Sequence, residues 1–193
     1  MVFDPFQKTI GLTPPAGEAQ IVLISHDHSD HNNTKSLKGT PFIIDSPGEY
    51  EYQGIRVRGI RSFHDSEKGK KEGLNTIYSA VLEGINVVHL GDLGQNELTD
   101  RQIDALGEVD ILLIPVGQIS TLGAKEAATV INQIEPKIVI PMHYWVKGLK
   151  VKIDNADAFL KEIGQKEAKP QEKLVIKQKD LPQERIEVVV LKI

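Results

Sequence analysis

The sequence contains no cysteine and a single tryptophan. With no thiol there can be no disulfide framework, no thiolate zinc site, no iron–sulfur cluster and no cysteine nucleophile. Any metal must be held by imidazole and carboxylate. Long hydrophobic runs are missing as well: residues 111–116 and 188–191 are typical of the apolar stretches, far short of the roughly 20 residues of a membrane helix. The opening Met1-Val2-Phe3-Asp4-Pro5 has neither the basic region nor the apolar stretch of a signal peptide, so a cytoplasmic protein is expected. There is no basic excess. With 23 Lys+Arg against 27 Asp+Glu, the net charge of −4 supplies no global field to attract nucleic acid. Repeats, low-complexity tracts and linkers are absent too, and 193 residues suffice for one sizeable core, so the chain reads as one domain over 1–193.

Short apolar runs rich in β-branched residues recur at 21–24, 42–44, 55–60, 77–82, 85–90, 111–116, 138–141, 174–176 and 186–191, and these are the expected strands. Glu83-Gly84 joins two of them at hairpin spacing. Helices are expected elsewhere. Thr99 with Gln102 three residues on forms a capping box for a helix ending near Leu106, and 124–134 has helical apolar spacing before Pro136. A third helix is expected over 154–163, with Asp154 as N-cap and Gly164 beyond its end. The interleaving predicts an α/β or α+β fold with a sheet core and outer helices.

Directly after the first strong strand stands Ser25-His26-Asp27-His28-Ser29-Asp30-His31, which places three of the six histidines within six residues. Chance gives such an H-x-H-x-D-H array roughly 3–4 times in 10,000 chains of this composition. In extended chain, residues two apart point the same way, so His26 and His28 can offer two imidazoles to one metal. A turn after Ser29 can direct Asp30 and His31 to a second metal. His64, Asp92 and His143 each stand where an expected strand ends, so strand ends meeting at one sheet edge can assemble a site from distant sequence.

Together, the array, the isolated His64, the strand-ending Gly91-Asp92 and the final Ile140-Pro141-Met142-His143-Tyr144 resemble the metallo-β-lactamase superfamily. The nearest resemblance is to the branch of metal-dependent hydrolases that includes ascorbate-6-phosphate lactonase, supported by Asp4-Pro5-Phe6, Gly73-Leu74-Asn75-Thr76 and Pro115-Val116-Gly117. The resemblance implies a four-layer αββα sandwich. It also implies that His26, His28 and His64 bind one divalent cation, that Asp30, His31 and His143 bind a second, and that Asp92 bridges the two. Zinc is the first choice of metal, with manganese or iron as alternatives. Asp27 and Asp65 stand beside ligands and are candidates to orient an imidazole, and His89 is divided between such a role and a structural one. Two departures stand out. Relatives begin with two further strands and a Gly-His-Ser-like segment, which this chain lacks. The loop 117–123 also lacks the second glycine, aromatic and acidic residues usual there.

The implied mechanism is hydrolysis by a hydroxide generated on the metals, with Asp30 and Asp92 positioning the water. The bond is an ester, lactone, amide or phosphoester of a small metabolite, an anionic one if the lysines of 66–73, Lys68 among them, engage it. Tyr144 and Trp145 are candidate pocket walls. The alternatives are a phosphodiesterase or nuclease of the same fold, against which the acidic balance counts, and a catalytically silent metal-binding regulatory subunit, against which the full ligand set counts. A homo-oligomer is compatible with the sequence.

Overall fold

Alternation makes the longest strands: in Ile55–Phe63, Val57 and Gly59 are buried while Arg56 and Arg58 face solvent. The structure is a computed structural model that describes residues 1–192. Its elements are β1 (Val2–Phe3), β2 (Gly17–Glu18), β3 (Ile21–Leu23), β4 (Leu37–Lys38), β5 (Phe42–Ile44), β6 (Gly48–Tyr52), β7 (Ile55–Phe63), β8 (Leu74–Leu82), β9 (Ile85–His89), α1 (Asp100–Leu106), β10 (Ile111–Pro115), α2 (Ala124–Ile134), β11 (Ile138–Met142), α3 (Asp157–Glu162) and β12 (Glu187–Val188). A seven-stranded sheet has the order β12-β11-β10-β9-β8-β7-β6, and a three-stranded sheet the order β1-β3-β5. The small sheet is parallel throughout, whereas the large one is antiparallel from β6 to β9 and parallel from β9 to β12.

Layering follows from where the apolar faces meet. Val88, Leu112 and Ile114 of the large sheet pack against Ala127 and Val130 of α2, Phe159 of α3 and Leu106 of α1. On the opposite face, Val57, Tyr78 and Ala80 meet Ile21, Leu23 and Ile44 of the small sheet. Between these residues Val22 points outward, where Leu37 of β4 and Val2 cover it. The β9–β12 half of the inner face is covered instead by the C-terminal segment, through Leu174, Ile176 and Leu181. This mixed α/β sandwich matches the architecture implied by the sequence.

Local chemistry explains the element ends. Thr99 and Gln102 form both bonds of the capping box. Leu82 pairs with Ile85 across a two-residue turn in which Glu83 and Gly84 have φ of 49° and 80°, the two positive values of a type I′ hairpin. Three expectations are corrected. Residues 174–176 form no strand, because their side chains cover the sheet face instead of extending its ladder. The third helix begins only at Asp157: the backbone of Asp154 is committed to Gly117 and Trp145, and Asn155 Oδ1 instead accepts from the Asp157 N–H at 3.0 Å. The last strand is confined to β12, with an isolated bridge at Leu191. Among the described residues no helix is long and apolar enough to cross a membrane.

Strands β3, β7, β9, β10 and β11 all end on one edge, and Thr76 N–H donates to Ser25 O at 2.8 Å to tie the two sheets there. Fully buried Tyr78 strengthens the joint by donating its hydroxyl to the carbonyls of Ile24 and Ile44, at 2.9 and 3.2 Å. Removing that hydroxyl in Tyr78→Phe leaves buried acceptors short of a donor. The expected cost is about 1–3 kcal/mol, read as a lower urea midpoint at unchanged slope; an unchanged midpoint would show that the joint does not depend on this bond.

Candidate metal centre

Each strand end delivers one part of the site. After β3 the chain turns through 25–31; His64 follows β7, β9 leads through Gly91 to Asp92, and His143 follows β11. His143 has φ of 49°, which swings it off the strand axis at a cost in backbone strain. Two glycines permit the close approach: a Cβ at Gly94 would lie 2.4 Å from His64 O, and one at Gly117 would lie 2.2 Å from His143 O. Asn75 fixes the turn before Asp92, accepting from Asp92 N–H at 3.0 Å while donating to Leu90 O and Ser62 Oγ.

Four histidines of the expected ligand set surround the Asp92 carboxylate. Its Oδ2 lies 3.2 Å from His143 Nε2, 3.4 Å from His31 Nε2, 3.4 Å from His64 Nε2 and 4.0 Å from His26 Nε2. Three groups have nitrogen and oxygen atoms close enough to share an ion: His26 with His28 and His64, Asp4 with His26 and His31, and His31 with Asp92 and His143. Asp30 flanks the last, its Oδ2 3.9 Å from His31 Nε2.

Hydrogen bonds on the far side of the rings fix which nitrogen faces inward. His64 Nδ1 lies 3.1 Å from Ser120 O, an acceptor only, so Nδ1 carries the hydrogen. Ser25 Oγ donates to Asp4 Oδ2 at 2.6 Å and therefore accepts from His26 Nδ1 at 2.8 Å. In neutral imidazoles this leaves both Nε2 lone pairs facing Asp92. His26 Nε2 and Asp92 Oδ1 are buried with no hydrogen-bond partner, as is His143 Nδ1. Lone pairs turned toward a carboxylate in a buried site are what a cation corrects, so the residues fit divalent metal.

The electrostatics agree. Burial alone would raise the Asp92 carboxyl, yet His143 and His31 hold it far below the ordinary range. His26 is pushed down to about 4, by burial and then by His31. Burial would lower His31 too, but Asp92 and Asp4 push it up to about 9.

Sequence reasoning missed the organiser of this arrangement, Asp4. It binds Ser25 N–H at 2.7 Å and Ser25 Oγ, and it accepts from His31 Nδ1 at 3.2 Å, orienting two ring systems at once. Its position in Asp4-Pro5-Phe6 was the only signal. His89 is buried, stacks on Phe3 at 4.8 Å and accepts from Gly91 N–H, so it supports the turn before Asp92. Asp27 meets Asn32 instead of a ring. Asp65 accepts the backbone N–H groups of Glu67, Gly69, Lys71 and Glu72, ordering the loop after His64. Neither carboxylate bonds an imidazole among the described residues. The loop 117–123 supplies His64's partner through Ser120. Lys68 is exposed and Lys71 pairs with Glu67 at 2.5 Å. Tyr144 lines a cavity of about 290 Å³ beside Asp30, His31, Asp92 and His143; Trp145 and Lys68 do not.

A family model described as the beta-lactamase superfamily domain matches residues 1–143. The chain belongs to the metallo-β-lactamase superfamily. Within it the chain falls in a branch of metal-dependent hydrolases. It is 30% identical to a UPF0173 metal-dependent hydrolase from Thermoplasma acidophilum over 75% of each chain, and 26% identical to one from Thermococcus onnurineus over 75% of this chain and 76% of that one. A Thermotoga maritima structure, assigned to the metallo-β-lactamase superfamily as a Zn-dependent hydrolase, is 34% identical with a TM-score of 0.77, covering 98% of this chain and 88% of that one.

Two predictions follow from the ring geometry. Asp4→Ala frees the rings of His26 and His31, and should weaken metal affinity about 10- to 100-fold in competition with a chelator; an unchanged affinity would remove Asp4 from the orienting role. Metal-free protein should be most stable near pH 6.5, the ordinary histidine value. Because the folded pKa of His31 is raised, its contribution is complete below 6.5 and lost as pH rises through about 9. His26 works in the other direction, with stability lost as pH falls from 6.5 through about 4. Urea midpoints of chelator-treated protein across this range test both limbs, and His31→Gln should flatten the alkaline one; a profile without a maximum counts against the assignment.

Proposed function

We propose that this chain is a dinuclear hydrolase that cleaves an ester, lactone, amide or phosphoester bond of a small molecule. The observation that carries the reading is the position of Asp92, whose one carboxylate stands between two separate ligand groups, the His26–His28–His64 trio and the His31–His143 pair with Asp30. A carboxylate has two oxygens, so one side chain could serve two cations. His26, His28 and His64 would hold one, Asp30, His31 and His143 the other, with Asp92 shared. Zinc suits this nitrogen and oxygen set, as do manganese and iron.

When bound, the metals would supply a water acidified toward neutrality and a Lewis-acid contact for the substrate oxygen. The protein's own residues do the remainder. Asp92, buried and kept ionised, orients the water without competing for its proton. Asp30 retains about a third of its side-chain exposure on the cavity wall, where its Oδ2 can take that proton and deliver it to the leaving group. His64, held by Ser120, and His26, held by Ser25, keep their lone pairs fixed through turnover.

Elemental analysis after reconstitution should find two metals per chain, and less than one would sink the proposal. Asp92→Ala or His28→Ala should lower turnover by at least about 100-fold on whichever ester, lactone or phosphodiester the loaded protein cleaves; activity retained in either variant would exclude a shared centre. Preference for bis-p-nitrophenyl phosphate over carboxylic esters would favour the phosphodiesterase form of the reading.

A further inference from the structure

The charged and imidazole groups lining the cavity beside the second ligand group cluster together: Asp4, Asp30 and Asp92 lie within 4 Å of His31, His89 adjoins Asp4, and His143 adjoins Asp92. The rest is walled by hydrocarbon from two segments distant in sequence: Phe6, Ile10 and Leu12 on one side, and Leu149, Val151 and Ile153 on the other. Among the described residues no lysine or arginine lines it. Lys150 projects elsewhere while its N–H donates to Ile10 O at 2.7 Å, joining the two lips in one fixed wall. The lysine-bearing loop after His64 lines a different depression together with Asp65, Glu72 and Glu126.

We infer that the substrate is a neutral ester or lactone with a hydrocarbon acyl group, which fills this chamber while its carbonyl lies at the Asp92 end. The inference rests on the hydrolytic reading above and narrows it. Away from His31, a phosphate or carboxylate in the hydrocarbon part of the chamber would be desolvated with no lysine or arginine to meet it, a penalty of several kcal/mol per ion. A hydrocarbon chain instead covers apolar walls that otherwise face water. The volume of about 290 Å³ holds about ten heavy atoms, at the ~30 Å³ each occupies when water-sized. That corresponds to an acyl group of up to about eight carbons together with its carbonyl oxygen. In the reaction water adds to the carbonyl carbon, the acyl C–O bond breaks, and the proton removed from water goes to the departing alkoxide, yielding a carboxylic acid and an alcohol.

The test has a catalytic arm and a binding arm. With reconstituted protein, kcat/KM on p-nitrophenyl esters should rise about three- to fourfold per methylene from acetate toward octanoate, the ratio given by ~0.8 kcal/mol per buried CH₂, and then level off. With metal-free protein, calorimetric affinity for neutral amides should climb in the same way from acetamide to octanamide. Leu149→Asp should abolish both slopes. Ile10→Lys should shift preference from butyrate toward the charged succinate half-ester, and this gain cannot come from a misfolded chain. Flat series in both arms, or a wild-type preference for succinate over butyrate, would overturn the assignment while leaving a two-metal hydrolase intact. Fewer than one metal per chain together with a steep amide series would do the reverse: the hydrolytic reading fails, and the chamber stands as an apolar ligand site.

Discussion

A carboxylate buried to within a few percent of full enclosure needs positive charge close by, and Asp92 has four imidazole nitrogens within 4.0 Å to provide it. Protein alone meets that need imperfectly. Two of the rings have their hydrogens drawn to the far side, by Ser120 and by the Ser25–Asp4 pair, so they present lone pairs instead of donors. His31, caught between Asp92 and Asp4, and His143, whose Nε2 lies 3.2 Å from Asp92 Oδ2, are the rings left to donate to it. The centre is therefore arranged for cations that the side chains cannot replace, and metal affinity and fold stability are linked through the same atoms.

The scaffold accepts local costs to keep this arrangement. His143 and Asp4 both occupy positive φ, at 49° and 41°, where a side chain other than glycine is strained. Gly94 and Gly117 surrender side chains so that two loops can lie against the carbonyls of His64 and His143. Asn75 spends its whole amide on the turn into Asp92. These concessions lie at the ends of strands whose interiors are regular, so the strain is confined to the edge where the chemistry is.

The sequence displayed whatever was local. Strands with β-branched runs, the Glu83-Gly84 hairpin, the Thr99–Gln102 cap and the histidine array all carry their signals within a few residues. Long-range pairings left none. Asp4 meets its partners across 21 and 27 positions, and an acidic residue before a proline gives no hint of an imidazole. Asp27 and Asp65 looked better placed because they adjoin ligands in the chain, but adjacent residues on a turning backbone point apart, and each found amide or backbone donors instead. Residues 174–176 have the periodicity of a strand, yet an apolar segment can cover a sheet as readily as extend it. Similarly, β6 was not among the expected strands, because Tyr50 and Tyr52 alternating with two glutamates are a weaker signal than an aliphatic run.

The division of labour around Asp92 bears on how such a centre acquires specificity. The histidines and aspartates around Asp92 stand at strand ends that the two sheets hold in place. The hydrocarbon chamber comes from the segments around Ile10 and Val151, which lie outside the ladders and are joined by a single backbone hydrogen bond. Substitutions there change shape and polarity without touching a ring or its partner. The lysines that suggested an anionic substrate sit in a loop organised by Asp65 around its own backbone, and their charge is turned toward solvent and Glu67. Proximity in sequence to a histidine of the site is thus no guide to what lines the cavity; its hydrocarbon wall is built from residues more than 130 positions apart, none of which carries a charge.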